Sequence, residues 1–591
     1  MGSEAEYGPW NPGIVSPVPD ELRRYCTVFL PENVSTGLDT ALELHDLTGL
    51  ELTELVAFRP QRLALHELLI RVTTDLSVPD GIRVEDLGRN FREMTRTILT
   101  RYVVPQMADI CASFESARRE VAELIALELG ITSARSSAPG KRERRGLARF
   151  FRWRGRANTG PEAVNRWDVR LPQWTMRATG SSELQAAVYR SLAHVVGAML
   201  RRHGGPWGTS DLVAAIATSM ACNEYGSDVV GRKIEPLLSQ AVQQEGYRLL
   251  PAQQSPVIMN TKGPSASGKS TLRPLQKELA NHIGVNWSDF ALISPDIWRK
   301  QLLDYSSLGA HFKYAGSFTG DELQIIDQKL DRYVARKAAH GKTSHLLIDR
   351  FRFDSFAADS DEPGSNLLTR FGRVVYLFFM ITPPQSLVER AWARGLDVGR
   401  YKAVDDTLAH GVDAYSGMPQ LFFTWVQRAD KRVHFEFLDN SVRRGERPRT
   451  VAFGDNDTMN VLDIACLLDI ERYRKANINA AHPRSLYRDA AALAPEKNLQ
   501  FLQQCIERFR NINFAEQASG RFYLKVESGC VIWADPELLS RVLEKADAAA
   551  ALADFAKLGE QCNVTAESQA SLQSLPASAQ VPTLGRWGLG D

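Results

Sequence analysis

The sequence predicts an α/β fold in which a parallel, five-stranded sheet is covered by helices on both faces. Between about 251 and 475, short apolar runs alternate with stretches of helical periodicity, which is typical of βαβ units. A glycine-rich segment separates the first apolar run from the first helix. An aspartate closely follows the second run and another follows the third. In such sheets ligands bind beyond the carboxyl ends of the strands, so we expect the functional residues there.

The five predicted strands are short runs rich in apolar and β-branched residues. They are 256–261, Phe290–Ser294, Ser344–Ile348, Arg373–Ile381 and Val433–Leu438. Runs of this kind suit the buried strands of a parallel sheet.

The remainder of the chain predicts a mainly helical N-terminal part and a small α+β C-terminal part. A chain of 591 residues, with 44% hydrophobic and 24% charged residues, is a globular protein of several domains. The predicted domains are a loose leader (1–36), a helical region (37–133), a basic linker (134–160), a second helical region (161–250), the α/β domain (251–475), a C-terminal helical region with a short strand pair (476–560) and a disordered tail (561–591).

Composition and charge exclude several classes of function. The 71 basic and 70 acidic residues nearly cancel, which argues against a nucleic-acid-binding protein. Seven scattered cysteines lack metal-ligand spacing, which indicates reduced thiols in a cytosolic compartment. The longest apolar run, Val374–Ile381, is too short to span a membrane.

The basic linker leaves two interpretations open: a solvated connection, or a contact with RNA, anionic lipid or an import receptor.

The glycine-rich segment fits the phosphate-loop pattern G-x-x-x-x-G-K-[ST]. It consists of Gly263, Pro264, Ser265, Ala266, Ser267, Gly268, Lys269, Ser270 and Thr271. In such a loop, main-chain N–H groups and a helix N-terminus bind phosphates, Lys269 adds a positive charge, and the Ser270 hydroxyl is a Mg²⁺ ligand. The alternative is a chance match in a Gly/Ser-rich turn. If the segment is a phosphate loop, ATP and Mg²⁺ are the expected cofactors. Pro274 is expected to kink the helix that follows the loop.

Two aspartates follow neighbouring strands at the expected functional edge. Asp296 comes after Ser294 as N-cap and Pro295 in the first helical position, where a carboxylate can accept the proton of a substrate hydroxyl. Its alternative role is to complement a helix dipole. Asp349 ends the run Leu-Leu-Ile-Asp, which resembles a Walker B strand whose acid holds Mg²⁺.

Arginines follow the fourth strand. Arg390 and Arg394 are four residues apart, so both guanidinium groups lie on one helix face and are candidates to neutralise a transferring phosphoryl group. A solvated basic face is the alternative. Lesser candidates of the same kind are Arg350, Arg352 and Arg400.

The segment between the second and third strands, 310–322, is interpreted as a second-substrate pocket or as an ordinary surface loop. It mixes a lysine with aromatic residues and glycines. Thr319 and Glu322 predict a capping box for the helix after it.

With these residues together, the stretch from about 255 to 460 resembles a zeta-toxin-type kinase. The matching positions are Gly263–Thr271, Asp296 as the base, and Arg390 with Arg394. The segment Phe435–Asn440 is similar to the family's last strand and its Asn turn. The resemblance covers about a third of the chain and implies a P-loop kinase-like fold.

The resemblance also implies a reaction, namely phosphorylation of a sugar hydroxyl on a nucleotide conjugate. The long spacing from the loop to Asp296 and the upstream helical part look more like the NAD-phosphorylating type III effectors of plant-pathogenic bacteria. Their acceptor is the adenosine ribose 3′-hydroxyl of NAD. Zeta toxins proper act on UDP-N-acetylglucosamine, but residues 349–352 depart from their acidic-glycine stretch.

The resemblance further implies an antitoxin or chaperone as protein partner. It places the protein in the cytoplasm of the producing bacterium, with secretion into a host cell. Two alternatives stay open: a nucleotide-binding adaptor that works through its helical regions, and a nucleic-acid 5′-end kinase that uses the basic linker.

Overall fold

The computed structural model describes residues 7–131, 167–205, 208–350, 372–553, 574–576 and 580–588. The predicted basic linker (within 134–160) and Arg352 lie outside the described residues. The described residues divide into two compact units. The sheet unit lies within Met1–Arg23, Leu69–Arg96 and Val242–Asp591, and the helical unit lies within Arg24–Leu68 and Thr97–Ala241.

Ten strands of the described chain form one sheet in the sheet unit. They are β1 (Val257–Lys262), β2 (Phe290–Ile293), β3 (His345–Asp349), β4 (Val374–Ile381), β5 (Arg432–Asp439), β6 (Arg449–Gly454), β7 (Thr458–Val461), β8 (Asn511–Ala515), β9 (Phe522–Glu527) and β10 (Cys530–Ala534). Their spatial order is β10-β9-β8-β7-β6-β5-β4-β1-β3-β2. The α/β class is therefore confirmed.

The prediction of a five-stranded parallel sheet is wrong in extent. The five predicted strands exist and pair in parallel, β2 with β3, β3 with β1, β1 with β4 and β4 with β5. Beyond β5 the sheet continues with antiparallel pairs and one parallel pair, so the whole sheet is mixed. The strand pair expected in a separate C-terminal region, β9 and β10, belongs to this same sheet. The link is β8, which lies in the same C-terminal region and pairs in parallel with β7.

The register of the parallel strands brings their carboxyl ends to one edge. Thr261 of β1 lies between Asp349 of β3 and Phe378 of β4, and Ile293 of β2 pairs with Ile348 of β3. All six residues of β1 are buried, as a central strand covered on both faces requires. The chain moves from β1 to β2 and β3 on one side and then crosses to β4 on the other. The end of β1 is thus the point where the strand order reverses, which is where such sheets bind ligands.

The helices of the sheet unit and the helical unit are as follows, in chain order. They are α1 (Leu38–Thr48), α2 (Pro60–Asp75), α3 (Asp86–Ile98), α4 (Met107–Leu129), α5 (Trp167–Arg177), α6 (Glu183–His203), α7 (Ser210–Ala221), α8 (Ser227–Glu245), α9 (Arg273–His282), α10 (Arg299–Leu302), α11 (Ala315–Phe318), α12 (Gly320–Ala339), α13 (Pro384–Val398), α14 (Val404–Val426), α15 (Ile464–Tyr473), α16 (Gln500–Arg508), α17 (Pro536–Leu543) and α18 (Ala546–Ala551). No helix of the described chain is both long enough and apolar enough to cross a bilayer.

The helix after the glycine-rich segment begins later than the sequence predicts. Residues Lys269–Leu272 form a 3₁₀ turn, and α9 starts only at Arg273. Pro274 therefore lies in the first turn of α9, where its missing N–H leaves no carbonyl unpaired. The predicted kink is wrong for this reason.

An aromatic cluster fixes β5 against the helices behind it. Phe422 of α14 lies 4.8 Å from Phe435 and 5.1 Å from Phe437, measured between ring centroids. Phe501 of α16 lies 5.6 Å from Phe437. Edge-to-face pairs of this kind add about 0.5–1.5 kcal/mol each beyond burial. They hold rigid the strand whose end contacts the glycine-rich segment.

The described parts of the predicted leader and tail pack against the rest of the chain. In the leader, Val28 and Phe29 are buried, and Trp10 packs against a cluster that includes Val388 and Leu408. In the predicted tail, Trp587 stacks on Phe453 with 5.3 Å between ring centroids. Scattered aromatic residues in polar surroundings anchor both segments, which composition alone does not reveal.

In the helical unit, α6 packs through its apolar side chains. Val188, Leu192, Val195 and Val196 of this helix are all buried. A capping box at Ser182 begins the helix, and Gly204, with φ of 69°, ends it.

Candidate functional site

The glycine-rich segment forms a closed loop between β1 and the 3₁₀ turn before α9. The Lys269 Nζ donates hydrogen bonds to the carbonyl oxygens of Gly263 (3.0 Å) and Pro264 (2.8 Å), so the ammonium lies across the loop. Gly268 has φ of 95°, and a Cβ there would lie 2.3 Å from the Asn440 Nδ2. Both its backbone conformation and its contact with Asn440 therefore require glycine.

The ends of β4 and β5 hold this loop in place. The Ser267 carbonyl accepts hydrogen bonds from the Asn440 Nδ2 (2.6 Å) and from the Thr382 Oγ1 (3.4 Å). A Cβ at Gly263 would lie 2.7 Å from the Met380 Cβ of β4, so the loop runs directly against that strand. The loop continues directly from β1 and is thus also held by the ends of its neighbours β4 and β5.

The two residues expected to hold Mg²⁺ are in contact. The Ser270 Oγ donates a hydrogen bond of 2.6 Å to the Asp349 Oδ2, although 79 positions separate them in the sequence. Mg²⁺ in nucleotide sites takes one or two protein oxygens, and the phosphates and water complete its octahedron. A hydroxyl and a carboxylate beside a phosphate loop fit that ligand set. Among the residues described, no group of three or more His, Cys, Asp or Glu residues is placed to hold a metal ion on its own.

Asp296 lies in the turn after β2 and is held by two arginines. Its Oδ1 accepts from the Arg299 Nε (2.9 Å) and its Oδ2 from the Arg400 Nη2 (2.7 Å). Desolvation disfavours its ionised form, but Arg400 and Arg299 outweigh that effect and hold the pKa of the Asp296 carboxyl well below its ordinary range. The carboxylate is therefore ionised at neutral pH, and 47% of its side chain is exposed.

The charges of Asp296 and Asp349 both affect the pKa of Lys269. Desolvation lowers the pKa of the Lys269 ammonium, while the charges of Asp349 and then Asp296 raise it. Lys269, Asp349 and the candidate base Asp296 thus share one electrostatic environment at the carboxyl edge of the sheet.

The structure separates the two arginines that the sequence places on one face of α13. The Arg390 Nη2 donates to the carbonyl oxygens of Asn440 (2.7 Å) and Val442 (3.1 Å), so Arg390 supports the segment that holds the loop. The Arg394 Nε is buried and has no hydrogen-bond partner among the described residues. Burial, and then Arg400, lower the pKa of the Arg394 guanidinium to about 9, whereas Asp296 opposes them. Backbone carbonyls therefore engage Arg390, whereas Arg394 keeps one nitrogen without a partner among the described residues.

The lesser arginine candidates also divide. Arg350 is buried and pairs with Asp327 (2.7 Å) and Asp331 (2.5 Å) of α12, so it ties β3 to that helix. Arg400, which pairs with Asp296, is part of the site. Arg299 escaped the sequence interpretation, although its position three residues after Asp296 on a helical turn is a usable signal.

The segment 310–322 packs against the N-terminal residues. The Lys313 Nζ lies 3.5 Å from the centre of the Tyr7 ring and donates to the Pro12 carbonyl (2.9 Å). The predicted capping box is wrong, because α11 runs almost directly into α12 and gives Thr319 helical dihedral angles. Its hydroxyl instead accepts a hydrogen bond of 2.8 Å from the Arg299 Nη1. This segment therefore helps to position Arg299 beside Asp296.

No protein-family model, curated protein or solved structure matches the chain. The function proposed below accordingly rests on the residues of the site. They combine a glycine-rich loop that carries a lysine, a hydroxyl–carboxylate pair, an ionised aspartate and several guanidinium groups. This set is able to bind a polyphosphate and to orient a hydroxyl group toward it.

Proposed function

We propose that the chain is a phosphotransferase that uses ATP and Mg²⁺ and has a P-loop kinase-like core. The hydrogen bond between Ser270 and Asp349 carries the proposal, because it brings together the two oxygen ligands that such an enzyme needs beside its phosphate loop. The position of that loop at the end of β1, where the strand order reverses, supports the same assignment.

The more specific proposal is a small-molecule kinase whose acceptor is a ribose or sugar hydroxyl of a nucleotide conjugate. The acceptor we favour is NAD, phosphorylated at the adenosine ribose 3′-hydroxyl. The support is the resemblance of the loop, Asp296 and the arginines to zeta-toxin-type kinases, together with the ionised state of Asp296. An effector or toxin role follows from the same resemblance.

In this mechanism the main-chain N–H groups of Gly263–Thr271 and the Lys269 ammonium bind the β- and γ-phosphates. Ser270 and Asp349 would hold Mg²⁺, which neutralises phosphate charge when bound. Asp296 accepts a hydrogen bond from the acceptor hydroxyl and takes its proton as the hydroxyl oxygen bonds to the γ-phosphorus. The bond from the γ-phosphorus to the bridging oxygen breaks, and ADP leaves.

The arginines have a second task in this scheme. The Arg394 Nε is buried and has no hydrogen-bond partner among the described residues, and in this scheme its guanidinium neutralises the transferring group. Arg400 pairs with Asp296 at 2.7 Å. When a γ-phosphate competes for that guanidinium, Asp296 loses a counter-charge and its pKa rises toward that of a more effective base.

The test is transfer of label from γ-labelled ATP and Mg²⁺ to a panel of acceptors: NAD, UDP-N-acetylglucosamine and a 5′-hydroxyl oligonucleotide. Mass spectrometry then locates the phosphate. We expect a phosphorylated NAD in the wild type and none with Lys269→Ala, which loses both nucleotide binding and turnover. Transfer to UDP-N-acetylglucosamine would identify the zeta-toxin acceptor instead. Nucleotide binding with transfer to no acceptor would favour a nucleotide-binding adaptor.

A further inference from the structure

A half-buried polar cluster lies at the beginning of α14, next to the site. The Lys402 Nζ contacts the His410 Nδ1 and lies 3.5 Å from the Asp406 Oδ2. The His410 Nε2 lies 3.3 Å from the Asp406 Oδ1. Only 12% of the Lys402 side chain is exposed, which is unusual for lysine.

The cluster belongs to the electrostatic environment of the phosphate loop. Arg400, two residues before Lys402, pairs with Asp296 at 2.7 Å. Lys402 faces Asp406 and His410 of its own segment, Arg394 of α13, and Asp296 of the turn after β2. The charges of Lys402 and Lys269 in turn lower the pKa of the His410 imidazole.

The charge state of this cluster is sensitive to an incoming anion. Burial lowers the pKa of the Lys402 ammonium to about 7; Asp406 opposes that shift and Arg394 adds to it. Burial and then Lys402 lower the pKa of the His410 imidazole to about 4, so His410 is neutral at neutral pH. Lys402 is therefore only partly protonated at neutral pH, and a polyphosphate nearby would favour its charged form.

We propose that Lys402 is a further phosphate-binding residue of the site and that it takes up a proton from solvent when a nucleoside triphosphate binds. The inference rests on the proposed function, since it requires the triphosphate to occupy the phosphate loop. Asp406 and His410 position the Lys402 amine, and His410 accepts a hydrogen bond from the ammonium. The positive charge on Lys402, beside Arg394 and Arg400, thereby becomes complete when the phosphates bind.

Isothermal titration calorimetry with a non-hydrolysable ATP analogue and Mg²⁺ tests this at pH 7.5. Titrations in buffers of different ionisation enthalpy give the number of protons taken up per nucleotide bound. A lysine with a pKa of about 7 that becomes fully charged takes up about 0.8 proton at this pH. We expect that uptake in the wild type, in His410→Gln and in the exposed control Lys545→Arg. We expect almost none in Lys402→Arg, whose guanidinium is always charged.

The pH dependence of affinity is the second measurement. The wild-type affinity falls about 15-fold between pH 7.0 and 8.5, while that of Lys402→Arg stays flat. Asp406→Asn lowers the pKa of Lys402 further and moves the fall to lower pH. If Lys402→Arg does not fold, this shift in Asp406→Asn decides the question.

Three results would overturn the inference. The first is a proton uptake in Lys402→Arg that equals that of the wild type. The second is a loss of proton uptake in His410→Gln, in which Lys402 is unchanged. The third is an unchanged pH dependence in Asp406→Asn. Failure of the nucleotide binding on which the inference rests looks different, because the wild type would then give no binding heat in any buffer. Failure of phosphoryl transfer alone would leave the binding heat and appear only in the acceptor assay.

Discussion

Replacing Asp296 by asparagine tests the assignment of the base most sharply, because it removes the charge and keeps the shape. The carboxylate accepts from Arg299 at 2.9 Å and from Arg400 at 2.7 Å, and an amide oxygen retains one of these contacts. It does not take a proton from the acceptor hydroxyl. We expect turnover to fall by about 10²–10⁴, which corresponds to about 3–5 kcal/mol in the activation barrier.

The other properties of the Asp296→Asn variant should change little. Its ion pairs are half exposed, and such pairs contribute about 0.2–1 kcal/mol each, so folding should weaken by less than about 2 kcal/mol. Nucleotide affinity should stay the same or rise, because a negative charge near the phosphates is gone.

The assay compares kcat, measured as ADP release in the presence of NAD, with the nucleotide Kd from calorimetry. Asp430→Asn is the matched control, since Asp430 is also half exposed and pairs with Arg428 at 2.7 Å before β5. That variant should keep full turnover. Wild-type turnover in Asp296→Asn would show that the base is another group. Joint loss of turnover and nucleotide binding would show that Asp296 is structural.

Three further predictions follow from the same contacts. Gly268→Ala should weaken nucleotide binding by at least about tenfold in a fluorescent-nucleotide titration, because its Cβ would lie 2.3 Å from the Asn440 Nδ2 and the left-handed backbone disfavours alanine; unchanged affinity would mean that the loop tolerates a shift. Arg394→Ala should lose turnover at unchanged thermal stability. Arg390→Ala should instead lower the Tm, because Arg390 donates to two backbone carbonyls. The reverse pattern would contradict these two roles. Burial raises the pKa of the Glu436 carboxyl from 4.5 to about 7, so the folded chain binds this proton more tightly than the unfolded chain between those values. The stabilisation from the protonated Glu436 carboxyl is complete below pH 4.5 and is lost as pH rises toward 7. The free energy of unfolding falls by an amount on the order of 3 kcal/mol over this range. Urea denaturation at pH 5 and pH 8 should show this loss in the wild type and a smaller one in Glu436→Gln, and equal losses would refute it.

The core of the site was predictable because its signals are local. The strand, loop and helix around Gly263–Thr271 follow one another in the chain, and apolar runs mark β1 to β5 without long-range information. Asp296 and Asp349 each follow a predicted strand, so the carboxyl-edge rule for parallel sheets places them together.

What the sequence did not reveal depends on contacts between distant residues. Helical spacing places Arg390 and Arg394 on one face, but the carbonyls that engage Arg390 come from the segment after β5, 50 and 52 positions away. Strands β6 to β8 are short and half polar, and hydrogen bonds to β5 and to β9 define them more than their own pattern does. Lys402 lies in a polar stretch typical of a solvated surface, and its burial is visible only in the folded chain.

The central claim is that this loop binds a triphosphate whose terminal phosphoryl group is transferred with the help of Asp296. The most direct measurement is the mass of an acceptor after incubation with γ-¹⁸O-labelled ATP and Mg²⁺, compared between wild type, Lys269→Ala and Asp296→Asn. We expect a labelled phosphate on the acceptor with the wild type, none with Lys269→Ala, and a rate of labelling at least about 10²-fold lower with Asp296→Asn. A labelled acceptor with Lys269→Ala, or a wild type that binds ATP and transfers nothing to any acceptor offered, would contradict it.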